Sequence, residues 1–165
     1  MENLLHSYYI IRFGDCDPFR HLNNARYLDY FMNAREDHLR DHYQMDLASY
    51  YKTGIGWVVA SHEISYLKPA AFNEKVCIKT GLLEAGTEHL LVEMLMLDEK
   101  ETHLKAILHS RFVPVSLTTG KREAHTPGFM DFISGKTIMN DSPGRINVYE
   151  RLAFWQKNIR SLPVL

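Results

Sequence analysis

The residues best suited to chemistry in this chain lie in one short stretch, GDCDPFRHLNN, from Gly14 to Asn24. Its second acid, Asp17, precedes the predicted start of a helix, where backbone N–H groups lack partners and carry the positive end of the helix dipole. Such N–H groups can polarise a carbonyl and stabilise negative charge on its oxygen. A carboxylate beside them could attack the carbonyl carbon or activate a water molecule. The stretch could therefore supply the base and the oxyanion site that acyl transfer needs.

The same stretch could instead be only a turn that leads into a helix. Asp-Pro and Asn-Asn pairs are common turn formers, and an Asp before a helix often does no more than cap it. Cys16 is a poor candidate for a nucleophile, because Asp15 and Asp17 flank it and neighbouring negative charge raises the pKa of a thiol. On chemistry alone, the catalytic loop and the simple turn both remain open.

One strand before this stretch and one long helix after it would position its side chains. Residues 7–13, SYYIIRF, are β-branched and aromatic, which predicts a strand that ends at Gly14. From about Asn24, apolar residues recur at intervals of three and four, which predicts a helix to about Tyr43 with Asn23 or Asn24 as its N-cap. The predicted apolar stripe of this helix is Tyr27, Leu28, Phe31, Ala34, Leu39 and His42.

Four further strands are predicted after the helix, at residues 56–67, 73–83, 89–97 and 103–115. The third is apolar on both faces, which is typical of a strand at the centre of a covered sheet. With the strand before the helix, they predict a five-stranded antiparallel sheet that buries the helix on one face, which is the α+β class. In the strand at 56–67, the residues expected to share one face are Val58, Ala60, His62, Ile64 and Tyr66.

The chain after Ser116 has a different composition and is predicted to be an extension of the sheet domain. It contains several Pro and Gly residues, so much of it should be loop. It closes with a predicted helix that starts at Asn147 and carries Val148, Leu152, Trp155 and Ile159 as its apolar stripe. We therefore expect a domain at 1–116 and a loop-plus-helix extension at 117–165, packed on the same domain or on a partner subunit.

Composition and charge limit the possible partners of the chain. A formal net charge of −1 gives no field that favours nucleic acid or an anionic membrane. The N-terminus lacks a basic lead-in, and no apolar run approaches the roughly eighteen residues that span a membrane, so we expect a cytoplasmic protein. Two cysteines make neither a disulfide framework nor a zinc site. His38 and His42, four apart on the helix, have no evident third ligand, so no metal is expected.

Residues Arg12 to Arg35 resemble the signature of the 4-hydroxybenzoyl-CoA thioesterase-like family, which includes the YbgC-type acyl-CoA thioesterases. Residues 13–18 match the family motif F-x-D-x-D-P, and Tyr27 matches a Tyr that follows it on the long helix. The predicted order of elements is also that of the hotdog fold of this family, in which a sheet wraps around one long helix. The resemblance covers roughly residues 5 to 116, and its motif is fairly specific.

This resemblance implies a thioesterase that hydrolyses an acyl-CoA to a free acid and coenzyme A, without a cofactor because coenzyme A is part of the substrate. Asp17 matches the catalytic carboxylate, as nucleophile or general base, and the N–H near Asn24 matches the group that polarises the thioester carbonyl. A homodimer or homotetramer is implied, with active sites at the subunit interface. Residues expected to contact the substrate are Phe19, Asn23, Tyr27 and His62, although His62 could instead be a hydrogen-bonded core residue.

The residues after Asp-Pro depart from this family and resemble a second one. The H-x-N-N run from His21 to Asn24 is similar to the motif D-x-N-x-H-x-N-N of the acyl-acyl-carrier-protein thioesterases, in which the Asp, the Asn and the His act together. Asp17 and His21 match this motif, but Phe19 stands where its first Asn would be. His21 could therefore be catalytic, or could only hold the loop by hydrogen bonds.

Three alternatives to acyl-CoA hydrolysis remain open from the sequence. The first is hydrolysis of an acyl-acyl-carrier-protein, which the H-x-N-N run favours. The second is hydration of an enoyl thioester, since hotdog hydratases carry a G-D-x-N-P-x-H motif that residues 14–21 approach with one residue too many. The third is non-catalytic binding of an acyl thioester.

Overall fold

The structure is a computed structural model that describes residues 4–138 and 147–160. The strands found in these residues are β1 Leu5–Ile10, β2 Ile55–Tyr66, β3 Lys75–Ala85, β4 Leu90–Asp98 and β5 Leu104–Ser116. The helices found there are α1 Tyr27–Tyr43, α2 Leu47–Tyr50, α3 Pro127–Ile133 and α4 Val148–Arg160, with short 3-10 turns at Phe13–Asp15, Asn24–Arg26 and Tyr51–Thr53. None of the described helices is long and apolar enough to cross a membrane.

The strands form one antiparallel sheet in the order β1-β3-β4-β5-β2, and α1 packs against one of its faces. The core between them includes Phe31, Ile78, Met94 and Leu108, whose side chains have no exposed surface. β4 is buried along almost its whole length, as expected of a central strand covered on both faces. The predicted α+β architecture, with a five-stranded antiparallel sheet around one long helix, is confirmed.

The long helix begins and ends where the sequence predicts. The side chain of Asn23 accepts a hydrogen bond of 3.0 Å from the Ala25 N–H, and the 3-10 turn that follows leads directly into α1. The helix ends at Tyr43, where Gln44 adopts a left-handed backbone conformation with a φ of 52°. A capped start that is continuous with the GDCDPFRHLNN loop fixes this loop against the N-terminal end of α1.

The predicted apolar stripe of α1 is wrong at one position, because His42 is exposed and His38 is buried instead. The Nδ1 atom of His38 lies 2.7 Å from the Thr80 hydroxyl, and its Nε2 atom lies 2.8 Å from the Ser7 hydroxyl. Because both ring nitrogens have partners, the imidazole can be buried at little cost. The burial disfavours the charged form and lowers the pKa of His38 to about 4.

We expect this histidine to make the fold less stable as the pH falls from about 6.5 towards 4. Below its ordinary pKa of 6.5, His38 takes up a proton in the unfolded chain but not in the folded one, so stability is lost through this window and not above it. A shift of this size corresponds to about 3 kcal/mol of unfolding free energy when the loss is complete. Denaturant unfolding of the wild type and of His38→Gln at several pH values checks this, and parallel curves down to pH 4 would contradict it.

β2 does not alternate along its whole length, because its pairing with β5 shifts register between Val59 and Ser61. A bulge adds one residue and exchanges the two faces of the strand. The prediction that Val58 and Ala60 share a face with the later residues is therefore wrong, and Trp57 packs against the core that contains α1 instead. The residues beyond the shift do share the helix-facing side, opposite inward residues of β5: His62, Ile64 and Tyr66.

The short helix α3 is absent from the sequence prediction, which assigns this part of the extension to loop. Its N-terminus carries ordinary helix signals: the Thr126 hydroxyl accepts from the Phe129 N–H at 3.2 Å, and Pro127 occupies the first turn. The prediction fails here because Pro and Gly are common in loops, whereas Pro127 is also well suited to the first turn of a helix. Phe129 and Ile133 of this helix are buried against the core beside α1.

The predicted C-terminal helix is confirmed as α4. The Asn147 side chain accepts from the Tyr149 N–H at 2.8 Å, and Val148, Trp155 and Ile159 are buried with sheet residues on the face opposite α1. Residues 139–146 of the predicted loop lie outside the described residues. The division into a domain at 1–116 and an extension at 117–165 stays a prediction.

A buried carboxylate on β4 fixes α4 to the sheet. Glu93 has no exposed surface, and its two oxygens accept hydrogen bonds from Arg151 at 2.6 and 2.8 Å and from Trp155 at 2.7 Å. The His109 ring also lies 3.0 Å from this carboxylate. Burial by itself would raise the pKa of Glu93, but the hydrogen bonds from these partners outweigh it and hold the pKa below its ordinary value.

Candidate active site

The Asp17 carboxylate is held in a tight loop by backbone groups of the same loop. Its Oδ1 atom accepts hydrogen bonds from the N–H groups of Phe19 at 2.9 Å and His21 at 3.2 Å. The loop closes through the Asp17 N–H, which donates to the His21 carbonyl at 2.8 Å, and Arg20 takes a left-handed conformation with a φ of 64°. No described residue donates to the Oδ2 atom. One carboxylate oxygen is therefore anchored, and the other is available to accept a proton or to attack a carbonyl carbon.

The neighbouring acid, Asp15, ties this loop to α1. The Tyr30 hydroxyl donates to the Asp15 carboxylate at 2.8 Å and accepts from the Arg12 N–H at 3.0 Å. The Asp15 carbonyl accepts from the Asn23 N–H at 2.9 Å. Sequence reasoning missed Tyr30 as a positioning residue, although it lies three positions after Tyr27 on the buried stripe of α1, directly in reach of the loop.

The Cys16 thiol is not placed as a nucleophile. It donates to the Arg12 carbonyl at 3.3 Å. Loss of solvation and the flanking carboxylates of Asp15 and Asp17 raise the pKa of this thiol, so thiolate is scarce at neutral pH.

The start of the helix leaves one N–H group available. The Asn23 side chain accepts a hydrogen bond from the Ala25 N–H, and the Asn24 carbonyl accepts one from the Tyr66 hydroxyl at 2.9 Å. No hydrogen-bond partner for the Asn24 N–H is found among the described residues. This N–H lies at the positive end of α1, on the segment that carries Asp17, and it could donate to a carbonyl oxygen that gains negative charge.

The four residues expected to contact the substrate are spread from the protein surface to the core. Phe19 is 80% exposed, and Asn23 is exposed while its side chain caps the helix start. Tyr27 is only 2% exposed, and its hydroxyl accepts from the Ala70 N–H at 3.2 Å. His62 lies on the helix-facing side of the edge strand β2, with Nδ1 2.8 Å from the Ser110 hydroxyl. Within one subunit, the four side chains therefore range from exposed to buried and do not share one environment.

His21 acts on the loop through its backbone. Its N–H and carbonyl both bond Asp17, and it forms an isolated bridge with Ala71. Its half-buried imidazole has no hydrogen-bond partner among the described residues. The side chain is therefore not what holds the loop, and its ring nitrogens remain available.

The described residues contain no group of three or more His, Cys, Asp and Glu side chains that could hold a metal ion. The helix pair considered from the sequence does not form one, because both ring nitrogens of His38 already lie against the hydroxyls of Ser7 and Thr80.

The chain is similar to known thioesterases. A family model described as the thioesterase-like superfamily matches residues 11–133. The chain is 30% identical over 107 residues to the long-chain acyl-CoA thioesterase FadM of Escherichia coli, covering 64% of this chain and 78% of that protein.

Solved structures share the fold. The DHNA-CoA thioesterase of Staphylococcus aureus superimposes with a TM-score of 0.73 at 19% identity, over 79% of this chain and 89% of that one. The probable thioesterase YbaW of Escherichia coli superimposes with a TM-score of 0.69 at 24% identity, over 80% and 98%. The expected hotdog fold is confirmed.

Proposed function

This chain belongs to the thioesterase-like superfamily, and from this membership we propose that it hydrolyses acyl-CoA thioesters with Asp17 as the catalytic carboxylate. The observation that carries the proposal is the way the Asp17 carboxylate is held in the loop that leads into α1. Its Oδ1 atom is anchored by two loop N–H groups while Oδ2 receives no hydrogen bond from the described residues. The Asn24 N–H on the same segment supplies the donor for the carbonyl oxygen.

Two routes through this geometry give the same products. In the general-base route, Asp17 Oδ2 takes a proton from a water molecule while the water oxygen bonds to the thioester carbon. The Asn24 N–H donates to the carbonyl oxygen as it becomes negative, the C–S bond breaks, and the thiolate regains the proton from Asp17. In the nucleophilic route, Oδ2 attacks the carbon, the thiolate leaves, and water hydrolyses the mixed anhydride. Both routes consume only water besides the thioester, so the proposal includes no cofactor and no metal.

The remaining site residues take supporting roles in the proposal. His21 positions Asp17 through its backbone N–H. We propose that the exposed side chains of Phe19 and Asn23 contact the coenzyme A part of the substrate and that His62, on β2, contacts the acyl group. Tyr27 has a structural role, since its side chain is buried and its hydroxyl holds the backbone at Ala70 by a hydrogen bond.

We also propose that two subunits pair through the edge strand β2. This strand ends the sheet and exposes Val58 and Val59 at 48% and 42%. An edge strand with exposed β-branched residues offers both unpaired backbone groups and apolar surface to a second copy. A second copy paired there would lie close to the helix-facing side of β2 and would complete the walls around His62.

Placing two charges on this edge should separate the subunits. The double variant Val58→Lys, Val59→Lys is expected to sediment as a monomer where the wild type sediments as a dimer or tetramer, because lysines on an edge strand oppose pairing. Tyr149→Lys, on the exposed surface of α4, is the matched control and should leave the wild-type assembly intact. A double variant that stays associated would contradict pairing through β2.

The carrier and the location are also part of this proposal. We propose coenzyme A as the carrier, in line with the similarity to FadM. Cys16 and Cys77 are both free thiols, which supports a reducing compartment such as the cytoplasm.

Thiol release from acyl-CoAs of graded chain length tests the function directly. Release with a defined chain-length optimum supports the proposal. Tight binding without release would favour a non-catalytic binder, and an enoyl-CoA converted without free thiol would favour a hydratase.

A further inference from the structure

A cavity lies at the other end of α1 from the Asp17 loop. It is formed by the second half of α1, the helix-facing side of the sheet and α3, and no residue from 14 to 24 lines it. It holds about 630 Å³ counting its open mouth. Its walls are largely apolar and aromatic, and include Leu39, Met45, Trp57, Val92, Phe129 and Phe132.

The described residues that line this cavity include two cations, Arg35 and Lys136, and no acid. The Arg35 guanidinium lies 4.1 Å from the centre of the Phe112 ring and makes neither an ion pair nor a hydrogen bond with any described residue. Lys136 donates to the Phe132 carbonyl, and its ammonium lies 4.4 Å from the Phe132 ring. Aromatic faces therefore partly stabilise both charges, but no carboxylate among the described residues forms an ion pair with either.

Two other polar side chains of the lining, His38 and Thr80, already have partners. The imidazole of His38 and the hydroxyl of Thr80 lie within 2.7 Å of each other. Arg35, in contrast, has five N–H donors in a planar fork that matches the two oxygens of a carboxylate. Burial lowers the pKa of Arg35 to about 10, so it remains charged at neutral pH. An unpaired cation in apolar surroundings is costly in free energy. An anion that binds in this cavity can form an ion pair with Arg35 and so offset this cost.

We propose that this cavity binds an apolar carboxylic acid, with its carboxylate on Arg35 and Lys136 and its hydrocarbon part against the aromatic walls. Two sources supply this chemistry. The first is a free carboxylic acid. The second is an acyl-CoA with a carboxylate at the far end of its chain, because Arg35 lies roughly 16 Å from Asn24 along the helical segment that the 3-10 turn and α1 form, at about 1.5 Å per residue. The acyl-CoA source rests on the function proposed above, whereas the free carboxylic acid does not.

Trp57 lines the cavity and gives a local signal, whereas Trp155 is buried on the opposite face of the sheet. The experiment is a fluorescence titration of the full chain with decanoic acid and with 1-decanol, which differ only in the carboxylate. Decanoic acid should bind at least about tenfold more tightly than decanol, and Arg35→Met and Lys136→Met should each remove this preference. Lys157→Met, an exposed cation on α4, is the matched control and should keep it. Trp57→Phe should remove the signal.

Equal binding of acid and alcohol, no binding of either, or a preference that survives both cation variants would overturn the proposal. Lys136 is only half-buried, so its variant keeps the test valid even if Arg35→Met fails to fold. Thiol release from dodecanedioyl-CoA and dodecanoyl-CoA then separates the sources. If thiol is released faster from the dicarboxylic thioester, and Lys136→Met removes this difference, the ligand of the cavity is the acyl chain of the substrate. If both thioesters release thiol equally and decanoic acid binds, the ligand is a free carboxylic acid. If neither thioester is hydrolysed, the proposed function fails and the fluorescence result stands by itself.

Discussion

Replacing Asp17 with Asn is expected to lower the rate of thiol release from acyl-CoA by about a hundredfold or more. The asparagine side chain has the same shape, and its oxygen can still accept from the N–H groups of Phe19 and His21. The loop should therefore stay in place while the oxygen that takes the proton or attacks the carbon is lost. Steady-state rates for both proteins at saturating acyl-CoA measure the effect.

Asp29→Asn is the control for this experiment. Asp29 lies on the exposed face of α1, where it pairs with Arg26 at 3.0 Å. Removing this charge near the start of the helix should change the rate by less than about threefold, because a surface ion pair contributes little. A comparable loss in both variants would mean that the general charge around the loop matters, and not a specific role of Asp17.

Replacing Arg151 with Met is expected to lower the free energy of unfolding by about 3–5 kcal/mol. The change leaves the buried carboxylate of Glu93 with only His109 and Trp155 as partners. An uncompensated charge in the interior is among the most costly consequences of a single substitution. Denaturant unfolding with far-ultraviolet circular dichroism measures the loss.

Two further variants separate this cause from a general weakening of α4. The double variant Glu93→Leu, Arg151→Met removes both charges, so it should recover part of the lost stability. Lys157→Met changes an exposed cation of the same helix and should stay within about 0.5 kcal/mol of the wild type. A double variant less stable than Arg151→Met would contradict this cause, because it would show that Glu93 stabilises the fold even without Arg151.

Much of the fold could be predicted because its signals are local. The spacing of Tyr27, Phe31 and Ala34 marks the buried side of α1, and the unbroken apolar run of β4 marks the centre of the sheet. Asn23 caps the helix start in the way that its residue type predicts. The loop around Asp17 is recognisable for the same reason, since its residue types and the helix after it are adjacent in sequence.

The features that sequence reasoning missed depend on residues far apart in the chain or on a single inserted residue. Glu93 and Arg151 meet only after the chain folds, and neither residue type nor spacing indicates this pairing. The bulge after Val59 exchanges the faces of β2 without any Gly or Pro to mark it. His38 is polar, and its burial depends on hydroxyls that β1 and β3 bring to it.

The predicted substrate contacts show a further limit. Phe19 and Tyr27 are eight positions apart, yet Phe19 is exposed on the loop and Tyr27 is buried in the core. A motif aligns residue types with a family but does not say which side of the loop each side chain takes.

The measurement that tests the central claim most directly is the molar ratio of free acid to coenzyme A thiol formed from one acyl-CoA by the wild type and by Asp17→Asn. We expect the wild type to form the two products in equal amounts and the variant to stay close to the uncatalysed rate. Conversion of the substrate without thiol, or a variant that releases thiol as fast as the wild type, would contradict thioester hydrolysis by Asp17.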